Sequence, residues 1–576
     1  MKENSLIIKQ TIQSNYLFYF LIIIYTIYLW NYEAKYSFSP TDEARVLGYI
    51  QRISTGQIPH LDFMFPHLAG TAYLYYFLNF LNTDVIFLQR LIGVLVLIIY
   101  SYLILKISGK IFDEQNALIK FFLVVFSLNI NMHTFTLYRW STTDAILFSV
   151  LGAYIINSSK KYKFIGYIML GAVPIIKSGF LFSTLILFIY FILNQKIFSY
   201  EFFKLGISFS IIPVSYLSLI YFNSALDEMF FELFGLPHFW DRWLTNTGLV
   251  DIRLVVFTFI SCVPFFLINK RFKNLDIAFP LVLSILFLIH NVNFSDFGQK
   301  PKFFLYSLFI FIAIFILKNS NSKLFEFELP FLLCLILGFS TILSDGWSVS
   351  LWVNGSILSL FLLLVFKISY LLNSYKKSPF AFFGLKILLI ILIFYVPLEA
   401  NNTNRDSYNY RDLSNNEELT YNLNEINKYY GNIYTSENVF KYLSSIEKCI
   451  DKLDTKFISV YPDNPYIYAM YNLQNPLIID RYEGYFVSTD YDDKRLSHDI
   501  KNLNNDENAE FAILLQTYPA SKLVEYDKSR INVINDRYEV GFHPERLKSL
   551  NFIKENLVGD VSTCASFEII TKNIEN

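Results

Sequence analysis

The chain has 576 residues, of which 54% are hydrophobic, 18% aromatic and 17% charged. Soluble domains carry about 25% charged residues, so this composition is that of a membrane protein. The formal net charge of −1 supplies no field for a polyanion and argues against nucleic acid as a partner.

Lys2 and Lys9 precede an apolar run near residues 16–30, and no small-residue cleavage site follows. The run is therefore expected to be a retained signal-anchor helix. Each bilayer crossing needs about 20 apolar residues, fewer where a helix is short. By that measure, spans are expected near 15–31, 84–107, 117–133, 142–157, 163–176, 179–194, 204–222, 252–268, 276–291, 303–318, 328–343, 351–370 and 381–398, about 13 in all.

Short loops carrying Lys106 and Lys110, Lys160 to Lys163, Lys196, Lys270 to Lys273, Lys318 and Lys323, and Lys376 and Lys377 alternate with more acidic loops. Positive loops stay inside, which predicts the N-terminus inside and the C-terminus outside. The apolar run 163–194 is too long for one span and short for two. Pro174, Lys177 and Gly179 interrupt it, so a tight outer hairpin with Lys177 at its tip is expected. One long helix would instead put Lys270, Arg271 and Lys273 outside, against the positive-inside rule.

Two outer loops are long. The first, 32–83, has apolar residues at helical spacing in 44–53 and in 68–81. The second, 223–251, is rich in aromatics around Phe230–Trp243. Both are expected to form helices lying in the membrane interface.

After residue 398 the composition turns polar. A membrane domain over 1–398 is thus followed by a linker and an extracytoplasmic α/β domain over 399–576. Strands are expected at 432–435, 457–461 and 510–515, and a helix start at 464–471 with Pro465 in the first turn. Cys262 and Cys334 lie in apolar runs. Cys449 and Cys564 lie in the polar domain and can pair if that domain is outside the cytoplasm.

The chemistry-bearing residues cluster at outer helix ends. Asp42 and Glu43 follow the first span directly. They are either solvated loop acids or carboxylates positioned to take a proton from a hydroxyl. Asp144 opens the fourth span, where a helix dipole alone would favour an acid. Lys177, Arg90 and Arg139 sit at the outer boundary. They are either snorkelling or stacking anchors or fixed cations for a developing phosphate charge. Lys300 and Lys302 are outer basic residues against the charge trend.

The first outer loop opens with Asp42-Glu43, continues through an amphipathic helix, and reaches Gly56-Gln57-Ile58-Pro59-His60-Leu61-Asp62-Phe63 and Pro66-His67-Leu68-Ala69-Gly70. Further on come Leu88-Gln89-Arg90-Leu91-Ile92-Gly93, Tyr138-Arg139-Trp140-Ser141-Thr142-Thr143-Asp144-Ala145, and Gly171 to Gly179 around Lys177. In order and spacing these segments resemble the polyprenyl-phosphate-sugar-dependent membrane glycosyltransferases of the C-type superfamily. That group includes the protein O-mannosyltransferases and the aminoarabinose transferases of lipid A. The resemblance covers roughly the first 200 residues. Ile176-Lys177-Ser178 departs from the family's Thr-Lys-Gly form, and the later loops carry no matching motif.

The resemblance implies a polytopic α-helical enzyme that moves a sugar, with inversion, from a polyprenyl-phosphate donor to a hydroxyl acceptor. The acceptor would be a glycolipid, an envelope glycan or a protein, on the outer face of the cell membrane. It implies a catalytic set of Asp42 as base, Glu43 in support and Asp144. Lys177, Arg90 and Arg139 would hold the donor phosphate, and His67 and Asp62 would contact substrate; Lys300 is added to the substrate contacts on its charge alone, as an outer basic residue against the positive-inside trend. No cofactor is assigned; a divalent cation is compatible with carboxylates at a phosphate site, but no dedicated ligand set is visible. The competing functions are a flippase and a polymerase or ligase for lipid-linked glycans. A flippase calls for internal repeats or midplane charges, and neither is evident.

Overall fold

The computed structural model describes residues 2–38, 43, 45–65, 68–132, 141–192, 198–234, 328–345, 355–356, 359–360, 362–363, 419–461, 464–480, 489–517, 531–534, 537–540 and 544–572. The described chain is predominantly helical, with a small sheet region near its C-terminal end. The spans expected at 252–268, 276–291, 303–318 and 381–398 lie outside the described residues.

The N-terminal half follows the apolar runs closely. Helix α1 (Lys2–Leu29) passes into a π-helical turn, Trp30–Ala34. Helices α2 (Arg45–Ser54) and α3 (Gly70–Leu74) belong to the first loop, and a 3-10 segment covers Tyr76–Phe80. Then come α4 (Val85–Ile107), α5 (Lys110–Asp113), α6 (Ala117–Met132), α7 (Ser141–Ser158), α8 (Lys163–Ile176), α9 (Leu181–Ile192), α10 (Tyr200–Phe222), α11 (Leu226–Phe234) and α12 (Glu328–Asp345). Among the described residues, α4 and α10 are long and apolar enough to cross a membrane, whereas segments such as Lys163–Ile176 and Ala117–Asn131 are apolar but shorter.

Large apolar side chains stand exposed along α1 (Tyr16, Phe20, Ile23, Ile27) and α10 (Phe203, Ile207, Ile211, Val214). Faces of this kind are stable against lipid and costly in water. The run 163–194 is a hairpin. Lys177 has extended backbone angles between α8 and the 3-10 turn Ser178–Phe180, and Tyr167 meets Phe188 edge-on at 6.0 Å across the fold-back.

The C-terminal part comprises β1 (Tyr421–Asn422), β2 (Tyr434–Thr435), α13 (Glu437–Ile450), β3 (Ile458–Tyr461), α14 (Tyr466–Met470), α15 (Thr489–Asn505), β4 (Phe511–Gln516), β5 (Ile531–Ile534), β6 (Arg537–Val540), α16 (Pro544–Asn556), β7 (Asp560–Cys564) and β8 (Phe567–Lys572). Its main sheet has the order β3-β4-β8-β7. β3 and β4 are parallel, in the register Ile458 to Ala512. β4 and β8 are antiparallel, with Ile513 opposite Ile570.

Side chains alternate across a strand, and β4 uses both faces. Ala512 and Leu514 enter one core; Phe511, Ile513 and Leu515 enter another with Leu496 and Ile500 of α15 and Ile553 of α16. A disulfide joins Cys449 to Cys564, pinning α13 to the sheet edge.

The first of those cores also contains the first loop. Phe38, Leu47, Ile50, Phe63, Leu68 and Ala72 cluster with Tyr442, Ile446, Tyr466 and Ile569. This corrects the expectation for α2. Its apolar face does not lie free for the membrane interface but packs on α14, so closely that a Cβ at Gly48 would fall 2.5 Å from the carbonyl of Pro465. Two backbone bonds continue the seam, from Ser37 to the carbonyl of Tyr434 (2.7 Å) and from Met64 to that of Ile478 (3.0 Å). Residues 419–425 are part of this fold too, with Leu419 and Leu423 buried.

The seam is locked by Arg52 of α2, which is buried. Its Nε donates to Asp480 Oδ1 at 2.8 Å and its Nη2 to the Leu477 carbonyl at 2.6 Å. Removing one member of a buried ion pair strands the other charge and costs about 3–5 kcal/mol. Arg52→Ala should therefore lower stability by about that much and make the C-terminal part more sensitive to limited proteolysis. A change below ~1 kcal/mol in detergent unfolding would show that the docking does not rest on this pair.

Candidate functional site

Two apolar cores meet near one end of α4 and of the hairpin. On α4, Val85 and Ile86 belong to the core shared with the C-terminal part, while Val94 and Leu97 belong to the helical core. On the hairpin, Ile175 belongs to the first and Ile176 to the second. Between the two lies a layer of buried polar residues: Glu43, Gln89, Arg90, Thr142, Thr143, Asp144 and Lys177. Buried ionisable groups of this number are costly unless paired, so their concentration at one level is the strongest functional signal in the chain.

Arg90 is placed by α4 and reaches back to the exit of the first helix. Its Nε donates to Glu43 Oε1 at 2.5 Å and its Nη2 to Glu43 Oε2 at 2.6 Å. Its Nη1 donates to the carbonyls of Ala34 (2.6 Å) and Tyr36 (3.1 Å), and its Nη2 also to that of Ser37. A guanidinium has five N–H donors, and these bonds engage all of them. Against the expectation that Arg90 holds the donor phosphate, in this fold its donors meet Glu43 and these three carbonyls. Arg90 instead holds Glu43. Asp42 itself lies outside the described residues.

Asp144, in the first turn of α7, is fully enclosed and accepts a hydrogen bond from Tyr75 Oη at 2.7 Å. Tyr75 follows directly on α3. The start of α3 packs on the end of α8, where a Cβ at Gly70 would lie 2.5 Å from the Ile175 carbonyl and Thr71 faces that of Ile176. One short helix therefore touches both the Asp144 end of α7 and the Lys177 end of α8.

Lys177 is 2% exposed. A lysine snorkelling to headgroups would present its ammonium outward; this one is enclosed by protein. Asp62, by contrast, is an exposed turn residue whose Oδ2 accepts from the Ile58 backbone N–H at 2.7 Å. His67, Arg139 and Lys300 lie outside the described residues. Among the described residues no group of three His, Cys, Asp or Glu side chains is arranged to hold a metal ion.

A second buried network was not expected. His60 Nδ1 lies 2.5 Å from Glu232 Oε2 and its Nε2 lies 3.1 Å from Tyr216 Oη. Arg495 donates to Glu232 Oε1 at 2.8 Å and to the His60 carbonyl at 2.8 Å. The network binds the first loop, α10, α11 and α15 into one clamp. Its one sequence signal is Glu232, an acid within an amphipathic helical stretch. Nothing local links it to His60 or Arg495.

The saturated Arg90 makes a sharp expectation. Lysine has three donors and no planar fork, so Arg90→Lys should lose at least about 3 kcal/mol. Arg90→Met paired with Glu43→Gln should recover a large part of the loss seen with Arg90→Met alone. Thermal unfolding in detergent of these variants and of Glu43→Gln alone checks this, and strictly additive losses in the Arg90→Met/Glu43→Gln cycle would refute a direct pair.

Compared with models of protein families, with characterised proteins and with solved structures, the chain has no significant match.

Proposed function

We propose that the protein is a polytopic membrane glycosyltransferase of the C-type kind. It would move a sugar from a polyprenyl-phosphate donor to a hydroxyl acceptor at the outer face of the cell membrane. The observation that carries this reading is the set of buried polar side chains where two apolar cores adjoin, among them Glu43 held by Arg90, Asp144 held by Tyr75, and Lys177. The Cys449–Cys564 disulfide supports an oxidising compartment for the C-terminal part. That part packs on the first loop, so both belong on the same side. The full set of about 13 spans, with the N-terminus inside, belongs to this proposal.

The chemistry follows from the residue types. The acceptor hydroxyl attacks the anomeric carbon, its proton passes to the Asp42 carboxylate, and the carbon–phosphate oxygen bond breaks with its electrons leaving on the lipid phosphate. Asp42 is the base because Glu43 is bound on both oxygens by Arg90. Charge growing on the phosphate is stabilised by the fixed cation Lys177, whose enclosure makes that stabilisation larger than it would be in water. Asp144, oriented by Tyr75, positions the sugar or the acceptor. A flippase for lipid-linked glycans has no need of a base in the first loop, and a polymerase or ligase shares the lipid substrate without the Asp-Glu opening.

General-base catalysis contributes about 10²–10⁴-fold. Asp42→Asn should therefore reduce sugar transfer from a polyprenyl-phosphate donor by at least about 100-fold while leaving unfolding temperature unchanged. Wild-type transfer rates in the Asn variant would remove Asp42 as the base. An inactive wild-type protein that still translocates the lipid would favour the flippase.

A further inference from the structure

Among the buried polar side chains that the proposed transfer does not use, Gln89 stands out. Gln89, on α4 beside Arg90, is 1% exposed, and neither its amide nitrogen nor its carbonyl oxygen has a hydrogen-bond partner. Orphaned buried hydroxyls such as Thr184 and Ser340 lie in helices, where a hydroxyl can rotate onto the carbonyl four residues back. A glutamine amide has no such easy recourse, and it leaves two donors and an acceptor unsatisfied. One turn further along the same face stands Gly93, which places no side chain beside the amide.

Nothing in folding rewards this arrangement, because an apolar residue of the same length would bury there at lower cost. The group that completes it must offer a donor and an acceptor side by side. A phosphate offers only acceptors. A sugar hydroxyl pair offers both, as does a buried water, and the binding experiment below separates the two. We infer that the Gln89 carboxamide hydrogen-bonds hydroxyls of the transferred sugar and helps decide which sugar the enzyme accepts. This inference rests on the glycosyltransferase reading and adds a specificity-determining residue to it. Gln89 touches the ring hydroxyls, not the reacting bond.

The experiment measures binding of the purified full chain in detergent to decaprenyl phosphate and to decaprenyl phosphate bearing glucose, mannose, galactose or arabinose. Wild type and Gln89→Met are compared, Met being of similar length and apolar. Wild type is expected to bind at least one sugar-bearing lipid more tightly than bare decaprenyl phosphate. In Gln89→Met that preference should shrink by about tenfold, the equivalent of one to two lost hydrogen bonds, with affinity for the bare lipid unchanged. The ligand-free variant should also unfold at a temperature no lower than wild type, since an unsatisfied amide has been removed.

A sugar preference that survives in Gln89→Met overturns the inference while the donor reading stands, and leaves the amide to a buried water. So does a wild type that binds all five lipids equally. A wild type that binds none of them defeats the donor reading, and the inference falls with it. If Gln89→Met does not fold, Gln89→Ala yields the same comparison.

Discussion

The geometry of the polar layer depends on Arg90. A guanidinium enclosed among apolar helices is tolerated only if every donor is met, and here the chain bends to meet them. The carbonyls of Ala34, Tyr36 and Ser37 point at it because the first helix ends in a π turn and the segment after it crosses the end of α4. Glu43 supplies the countercharge. One side chain thereby ties the end of the first helix, the residues just after it and Glu43 to α4. The consequence for chemistry is a separation of duties. Of two adjacent acids, one is immobilised, and the proposed transfer leaves the other to react.

Around that anchor two of the three apolar cores, the helical one and the one shared by the first loop and the C-terminal part, adjoin. The shared core is not the property of either half of the chain. It draws on the first loop, on the hairpin through Ile175, on Tyr216 and Met229, and on α13, α14 and the sheet. The C-terminal part thus forms a wall of the first loop. Two buried ionic clamps, Arg52 with Asp480 and Glu232 with His60 and Arg495, hold it there.

Much of this architecture is legible in local sequence pattern. Apolar length alone locates α4, since the expected 84–107 is Val85–Ile107 in the fold, and Lys177 reads as a break because a charge and a glycine interrupt an apolar run. Strands β3 and β4 show in their β-branched and aromatic runs. What stays hidden has a common cause. The partners of Arg52 and Arg495 lie 428 and 435 residues away, and no periodicity encodes so distant a contact. The face of α2 is equally apolar whether it meets lipid or protein, so its pattern does not choose between them. Arg90 shows the same limit: a basic residue at an outer helix end suits a phosphate or a carboxylate, and only the acceptors around it decide.

The 428-residue separation between Arg52 and Asp480 also bears on biogenesis. A ribosome adding about 5–20 residues each second leaves α2 waiting on the order of tens of seconds for the strand-helix layer that covers it. During that interval its guanidinium has no carboxylate and its apolar stripe has no protein neighbour. The nascent loop then has one ready refuge, the headgroup zone of the bilayer, which suits an amphipathic segment. The apolar face of α2 thus meets its protein neighbour, and Arg52 its carboxylate, only once the C-terminal part has been made.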